Sequence, residues 1–241
     1  MAQRKTTVAS VADEIRRTLK AGRRAQGSAS VQRFFKEKIQ SHGWRTADLR
    51  REALGWRREI LQQFDHKFLV QVADNLFAGE INEDKNTAVF LLENMTAKFG
   101  KEEFRLLESW LPRISNWSEH DALVHYLIAP MIAAKPARVK KVFRWAKSQN
   151  RWFRRAACVA LIQGTRRKMF FSAITRLCDR LLSDEDDMVQ KGLGWLLREA
   201  AKADAKRTVP YLRRIRKRSS RLVLRTACET LPSARREQIL A

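Results

Sequence analysis

Helical segments in this sequence recur in pairs, at an interval that leaves few folds open. Beyond about residue 80, first members of the pairs start near Asp84, Ser118, Asn150, Asp187 and Ser220, and second members near Lys101, Pro136, Lys168, Lys206 and Ser233. Successive pairs are spaced by roughly 32 to 37 residues, the period of helical-hairpin solenoids. One hairpin cannot bury its own apolar face, so a chain with this period must stack hairpin on hairpin. Nowhere does polar/apolar alternation persist long enough for a strand; glycines number nine, and all five prolines lie at or after Pro112,. The expected fold is all-α: a curved α-α superhelical solenoid in a single domain over residues 1–241. Residues 1–80 would supply less regular N-terminal helices and residues 81–241 about five hairpins. Within the first part, TADLRREALGWRREIL carries Thr46 as an N-cap and a helical stripe through Leu49, Ala53, Leu54, Trp56 and Ile60,.

Such an array presents a wall to solvent, and charge indicates what the wall meets. Lys and Arg number 49 against 26 Asp and Glu, a formal net charge of +23. That excess is too large and too widely spread to be the solvated side of a few helices, and a polyanionic partner is expected. No apolar run reaches the roughly 18 residues of a membrane span, and the N-terminal MAQRKTTVASVADEIRR lacks the long apolar core of a secretion signal,. Cys158, Cys178 and Cys228 are odd in number, far apart and set in apolar helical patterns. They fit buried thiols in a reducing compartment, with neither a disulfide framework nor a metal site. Nucleic-acid binding leads a protein scaffold as the reading of fold and charge, although helical repeats serve both.

Three first-member helices carry residues that burial alone does not explain. SNWSEHDALVHYL places Trp117, Asp121 and His125 four residues apart, hence along one helical face,. Ser118 followed by Asp121 is also a capping pattern, which would account for the acid structurally; His125 is given no role. NRWFRRAACVALIQG has a core stripe through Phe153, Ala157, Ala160 and Leu161, which turns Arg155 away from the core, where its guanidinium could hold a phosphate or pair with an acid,. In DDMVQKGLGWLLREAAKA the stripe Val189, Leu193, Leu196, Leu197 and Ala200 leaves Trp195 outside, on a face with Lys191, Arg198 and Lys202,. An indole among three cations suits a nucleic-acid surface, and equally a Trp tucked under a neighbouring hairpin. Hairpins stacked in register should bring these three faces together.

NWSEHD with Trp117 and Asp121, RWFRRAA with Arg155, and QKGLGWLLRE with Trp195 and Arg198 resemble, in order and spacing, the DNA alkylation repair family of HEAT-like-repeat DNA glycosylases. RFFKEKIQSHGWRTADLRREAL, residues 33 to 54, is similar to the family's N-terminal helix, turn and Arg-rich second helix. The resemblance implies release of cationic N3- or N7-alkylated purines from double-stranded DNA; the expected protein is a monomer without cofactor or metal, in the cytoplasm at the nucleoid. By position it makes Asp121, Trp117 and Trp195 the catalytic set, the carboxylate near the anomeric carbon and the indoles against the sugar. It also makes Arg155 hold a phosphate; with Lys191, Arg198 and Lys202 of the Trp195 face, Arg154 and Phe34, this completes the expected DNA contacts. Two departures stand out: Phe34 where the family can carry a tyrosine, and Asp187 and Met188 where aromatic residues can occur. A non-catalytic helical-repeat protein that binds DNA or RNA is the alternative.

Overall fold

The computed structural model describes residues 6–23 and 25–241, and among these there is no strand. They pack as two compact units, one ending at Leu127 and the other beginning at Ile128. The first holds α1 (Val8–Ala21), α2 (Ala25–Gln32), α3 (Thr46–Gln63), α4 (His66–Phe77), α5 (Asn82–Leu92), α6 (Lys101–Trp110) and α7 (Trp117–Asp121). A π-helical stretch, Ala122–Ile128, follows α7 directly. The second holds α8 (Ala129–Ala134), α9 (Val139–Trp145), α10 (Arg151–Val159), α11 (Ile162–Thr165), α12 (Phe171–Leu181), α13 (Asp187–Ala203), α14 (Ala205–Ile215), α15 (Arg221–Cys228) and α16 (Ser233–Leu240). Each expected hairpin member starts within about three residues of its observed helix, a margin usual for helix ends. The pattern was visible because side-chain caps mark the starts. Asn150 accepts from the Trp152 N–H, Asp186 from those of Met188 and Val189, and Ser220 from that of Val223,.

In the N-terminal unit, α5 is buried on every side from Glu83 to Leu92, charged residues included. Buried charge is tolerable only when it is paired and hydrogen-bonded. Glu83 accepts from Ser41 Oγ (2.7 Å) and from the backbone N–H groups of His42, Gly43 and Trp44 (2.9, 2.9 and 3.2 Å), which fastens that loop to the helix. Lys85 Nζ reaches Glu119 (3.0 Å), the Arg113 carbonyl (2.6 Å) and Ser115 Oγ (3.2 Å). Two details of α3 differ from expectation. Its N-cap is Arg45, with no side-chain cap from Thr46, and Leu54 is exposed while Leu49, Ala53 and Ile60 are buried. Leu54 falls beside the buried stripe and is 36% exposed.

In the C-terminal unit, α10, α13 and α15 pack side by side as a first row, and α12, α14 and α16 pack behind them as a second. Two glycines of QKGLGW set the first row's spacing. A Cβ at Gly192 would sit 3.2 Å from Arg155 Cγ on α10, and one at Gly194 only 2.6 Å from Thr226 Cβ on α15. Gly194→Ala is therefore expected to destabilise the protein by about 1 to 3 kcal/mol through overpacking, despite the gain of up to about 1 kcal/mol in helix propensity. Denaturant unfolding of the variant checks this, and a more stable variant would mean that α13 and α15 separate freely. The stripe Val189, Leu193, Leu196, Leu197 and Ala200 is buried as expected. All three cysteines are free and buried, and burial pushes the Cys158 thiol up to about 12, so it stays protonated and inert.

Candidate functional site

In the N-terminal unit the sequence SNWSEHD resolves into a division of labour between its acids. The N-cap of α7 is Asn116, whose side chain accepts from the N–H groups of Ser118 and Glu119. Glu119, not Asp121, is the first-turn acid. It is buried, paired with Lys85, and accepts from the Ser115 N–H (2.8 Å) and from Asn116 Nδ2 (2.7 Å). Burial pushes its carboxyl above the usual range, and Lys85 and the hydrogen bonds hold it part of the way down,. The capping role expected of Ser118 and Asp121 thus belongs to Asn116 and Glu119. Asp121 is left partly exposed, its side chain 22% accessible, and the Nδ1 of fully buried His120 donates to its Oδ1 at 2.8 Å.

Past Asp121 the chain is π-helical, so the α register that put Trp117, Asp121 and His125 on one stripe ends at the carboxylate. Single π turns inside helices frequently mark functional positions. His125 stands edge-on to Tyr126 with ring centroids 5.2 Å apart. The imidazole beside the acid is therefore His120, which sequence spacing did not single out: adjacent residues on a helix point about 100° apart.

Trp117 is fixed from the other side. Its indole N–H donates to the Phe34 carbonyl (3.2 Å) and its ring stacks on Phe35, centroids 5.0 Å apart and planes 15° apart. Phe34 itself is 62% exposed, with the Arg33 guanidinium 5.0 Å from its ring. Phe34, Phe35, Trp44, Arg45, Trp117 and Ser118 are among the residues lining a cleft of about 930 Å³. The loop fastened by Glu83 forms part of its wall. Gly43 has φ of 80°, a left-handed conformation suited to glycine, and a Cβ on Gly27 would come within 2.4 Å of the Gly43 carbonyl,.

The C-terminal unit holds the remaining expected residues, and here burial corrects the reading of α10. Of the expected stripe, Ala157, Ala160 and Leu161 are fully buried and Phe153 is only half-buried, while Trp152, Ala156 and Val159 are buried as well. The buried face is thus wider than the stripe and takes in Arg155: it is 5% exposed and its Nη1 donates to the Met188 carbonyl at 2.6 Å. The guanidinium thus ties α10 to the start of α13, its stem lying over Gly192. Arg155→Ala is expected to cost about 2 to 4 kcal/mol of stability, through a lost charged hydrogen bond and the space left behind. Thermal or denaturant melting tests this, and unchanged stability with weakened duplex binding would return Arg155 to a phosphate contact.

Trp195 is half-buried and off the core stripe, as its position suggested. The cations of its helix face have carboxylate neighbours: Lys191 pairs with Asp187 (3.3 Å), Arg198 with Glu199 (3.4 Å) and with Glu229, and Lys202 with Glu199 (2.9 Å). Arg154 lies against Asp184, Nε to Oδ2 at 2.6 Å, and also donates to the Ser148 and Gln149 carbonyls. Among the described residues no group of three or more His, Cys, Asp or Glu is placed to hold a metal, and no helix is long and apolar enough to cross a membrane.

These features define a class: a basic, all-α helical-repeat protein carrying a histidine-held carboxylate one helical turn after a ring-stacked tryptophan. The profile of the family described as "DNA alkylation repair enzyme" matches residues 15–231, and the chain belongs to that family. Among solved structures it is similar to the predicted DNA alkylation repair enzyme from Enterococcus faecalis, with a TM-score of 0.78 at 17% identity over 88% of this chain and 97% of that one. It is also similar to AlkD2 from Streptococcus mutans (TM-score 0.60, 20% identity, 86% of this chain and 99% of that one). The smu.31 protein from Streptococcus mutans UA159 gives a TM-score of 0.59 at 21% identity, over 78% of this chain and 98% of that one. At such identities the likeness carries the fold alone. No curated protein matches the sequence significantly.

Proposed function

We propose that this protein is a DNA glycosylase that hydrolyses the N-glycosidic bond of cationic N3- and N7-alkylated purines in duplex DNA. The observation that carries the reading is Asp121: a partly exposed carboxylate relieved of capping by Asn116 and Glu119, and held by His120. An alkylated purine that already bears positive charge leaves readily, the electron pair of the broken bond neutralising its ring. What the protein must supply is stabilisation of the sugar cation and a place for water. A carboxylate about 4 Å from that cation, at an effective dielectric near 20, contributes on the order of 4 kcal/mol. If realised only in the transition state, that is roughly a thousandfold in rate. Water then adds to the anomeric carbon and gives up its proton, for which Asp121 is an acceptor.

Trp117 and Trp195 are assigned to the sugar, where an indole face attracts the developing cation. Trp117 is preorganised for this by Phe34 and Phe35, whereas exposed Phe34 offers an apolar contact to DNA in place of a tyrosine hydroxyl. Lys191, Arg198 and Lys202 can exchange carboxylate partners for phosphates, while Arg154 and Arg155 hold the helices that carry them. The test is release of free N7-methylguanine or N3-methyladenine from methylated duplex by the purified chain. Duplex binding without release would favour the non-catalytic alternative.

A further inference from the structure

Most of the protein's charge lies in its C-terminal unit. Residues 128–241 contain 28 Lys and Arg against 9 Asp and Glu, a net +19 of the total +23. Five of those acids, Asp184, Asp186, Asp187, Glu199 and Glu229, serve as partners for first-row cations on α10 and α13. The excess must then reside elsewhere. On α9, α12 and α14 the sequence offers a single acid, Asp179, and it accepts from the Tyr211 hydroxyl at 3.1 Å.

The cations of these helices, half-buried Lys141 apart, are exposed, and several are organised. Arg176 on α12 lies over the Phe143 ring of α9, 4.9 Å from its centroid, and Arg207 on α14 lies over Phe171 of α12 at 4.1 Å. Arg214 sits over Tyr211 at 5.0 Å, and the Tyr211 hydroxyl donates to α12. The three helices therefore adjoin, and arginines mark their seams. A guanidinium laid on a ring loses rotational freedom but keeps its N–H edges for a phosphate. Arg176 and Arg180, one turn apart, share a recess of about 210 Å³ with Phe143. Arg176 with Arg180, and Lys140 with Arg144, are also like-charge pairs at i,i+4, which destabilise an isolated helix. None of these six residues is in a described ion pair with a carboxylate. The exposed turn Arg216–Lys217–Arg218 continues the same polarity.

We propose that the exposed cations of α9, α12 and α14 form a DNA-backbone surface, separate from the first-row residues, that grips duplex irrespective of sequence or damage. Buried Val209, Leu212 and Ile215 pin α14 to the unit's core, so its arginines project from the opposite face. The large apolar side chains exposed among the described residues, Phe34, Leu54 and Leu61, all lie in the N-terminal unit. This surface thus lacks the apolar anchors by which a basic helix enters a lipid interface. Arginine forks without such anchors match a phosphodiester chain. The proposal concerns undamaged duplex and does not rest on the excision reading.

The test uses the full chain, wild type and an R144Q/R176Q/R180Q/R214Q variant, with binding to an undamaged duplex followed by fluorescence anisotropy across a potassium chloride series. Each lost phosphate contact removes about 0.9 from the log–log salt slope. The four substitutions should flatten it by about 3 to 4 units and weaken binding at least about tenfold at low salt, with unchanged thermal melting. K67Q/K101Q, which removes two exposed cations of the N-terminal unit that take no part in the proposed surface, should change the slope by less than about one unit,. An unchanged slope in the fourfold variant would overturn the proposal. So would poly-glutamate competing with duplex at equal charge concentration, since the surface would then serve any polyanion. Wild type that binds duplex but releases no base would count against the excision reading alone, because the salt slope is read without it.

Discussion

Asn in place of Asp121 is expected to lower release of N7-methylguanine by about a hundredfold or more, equivalent to at least about 2.7 kcal/mol of transition-state stabilisation. Duplex affinity should be unchanged or slightly higher, because a negative charge facing phosphates is lost. The structure makes this substitution unusually clean. Asn matches Asp in size and can still accept the hydrogen bond from His120. Helix capping does not depend on position 121, since Asn116 caps α7 and Glu119 fills its first turn. A loss of activity therefore cannot be attributed to a frayed helix, and circular dichroism and melting temperature should match wild type. Equal single-turnover rates in the two proteins would remove Asp121 from catalysis and leave the carboxylate as a partner of His120 only.

Local signals made the fold readable. Hairpin starts were legible because Asn150, Ser220 and the acids ahead of α13 are residues that cap helices through their own side chains, within three positions of the N–H groups they satisfy,. Which acid of WSEHD is structural was not legible, because Glu119 is chosen by Lys85, 34 residues earlier in the chain. Nor could spacing reveal that Arg155 turns inward: its partner is a backbone carbonyl 33 residues away, and Gly192 makes room for its stem. The glycines of QKGLGW, quoted for their family likeness, have a packing reason that appears only once α10 and α15 flank α13. Charge behaved the same way only at Arg198, whose partner Glu229 lies 31 residues away at the C-cap of α15; the partners of Lys191 and Lys202, Asp187 and Glu199, are within one turn on α13 itself.

The range of lesions accepted should follow from how the proton-bearing groups beside Asp121 are committed. Glu119 is buried with its oxygens taken up by Lys85, Ser115 and Asn116, and His120 is buried against Asp121 itself. Neither is placed to protonate a departing base. A general acid contributes typically about 10²- to 10⁴-fold, and a neutral damaged base needs one, whereas a cationic alkylpurine brings its own charge. At matched enzyme concentration, release of N7-methylguanine and N3-methyladenine should therefore exceed release of uracil or hypoxanthine by at least about a hundredfold. Replacing Trp117 or Trp195 by Ala should slow excision of the cationic bases by about 1 to 2 kcal/mol each, the scale of a desolvated cation–π contact. The preference itself should not change, because the role proposed for the indoles is towards the sugar cation, which forms with every leaving group. Lowering the pH gives an internal check: if uracil release rose steeply toward acid while methylpurine release stayed flat, solution protons would be doing what the protein does not. Efficient uracil release at neutral pH would instead require an acid within reach of the base, and the mechanism built on Asp121 alone would fail.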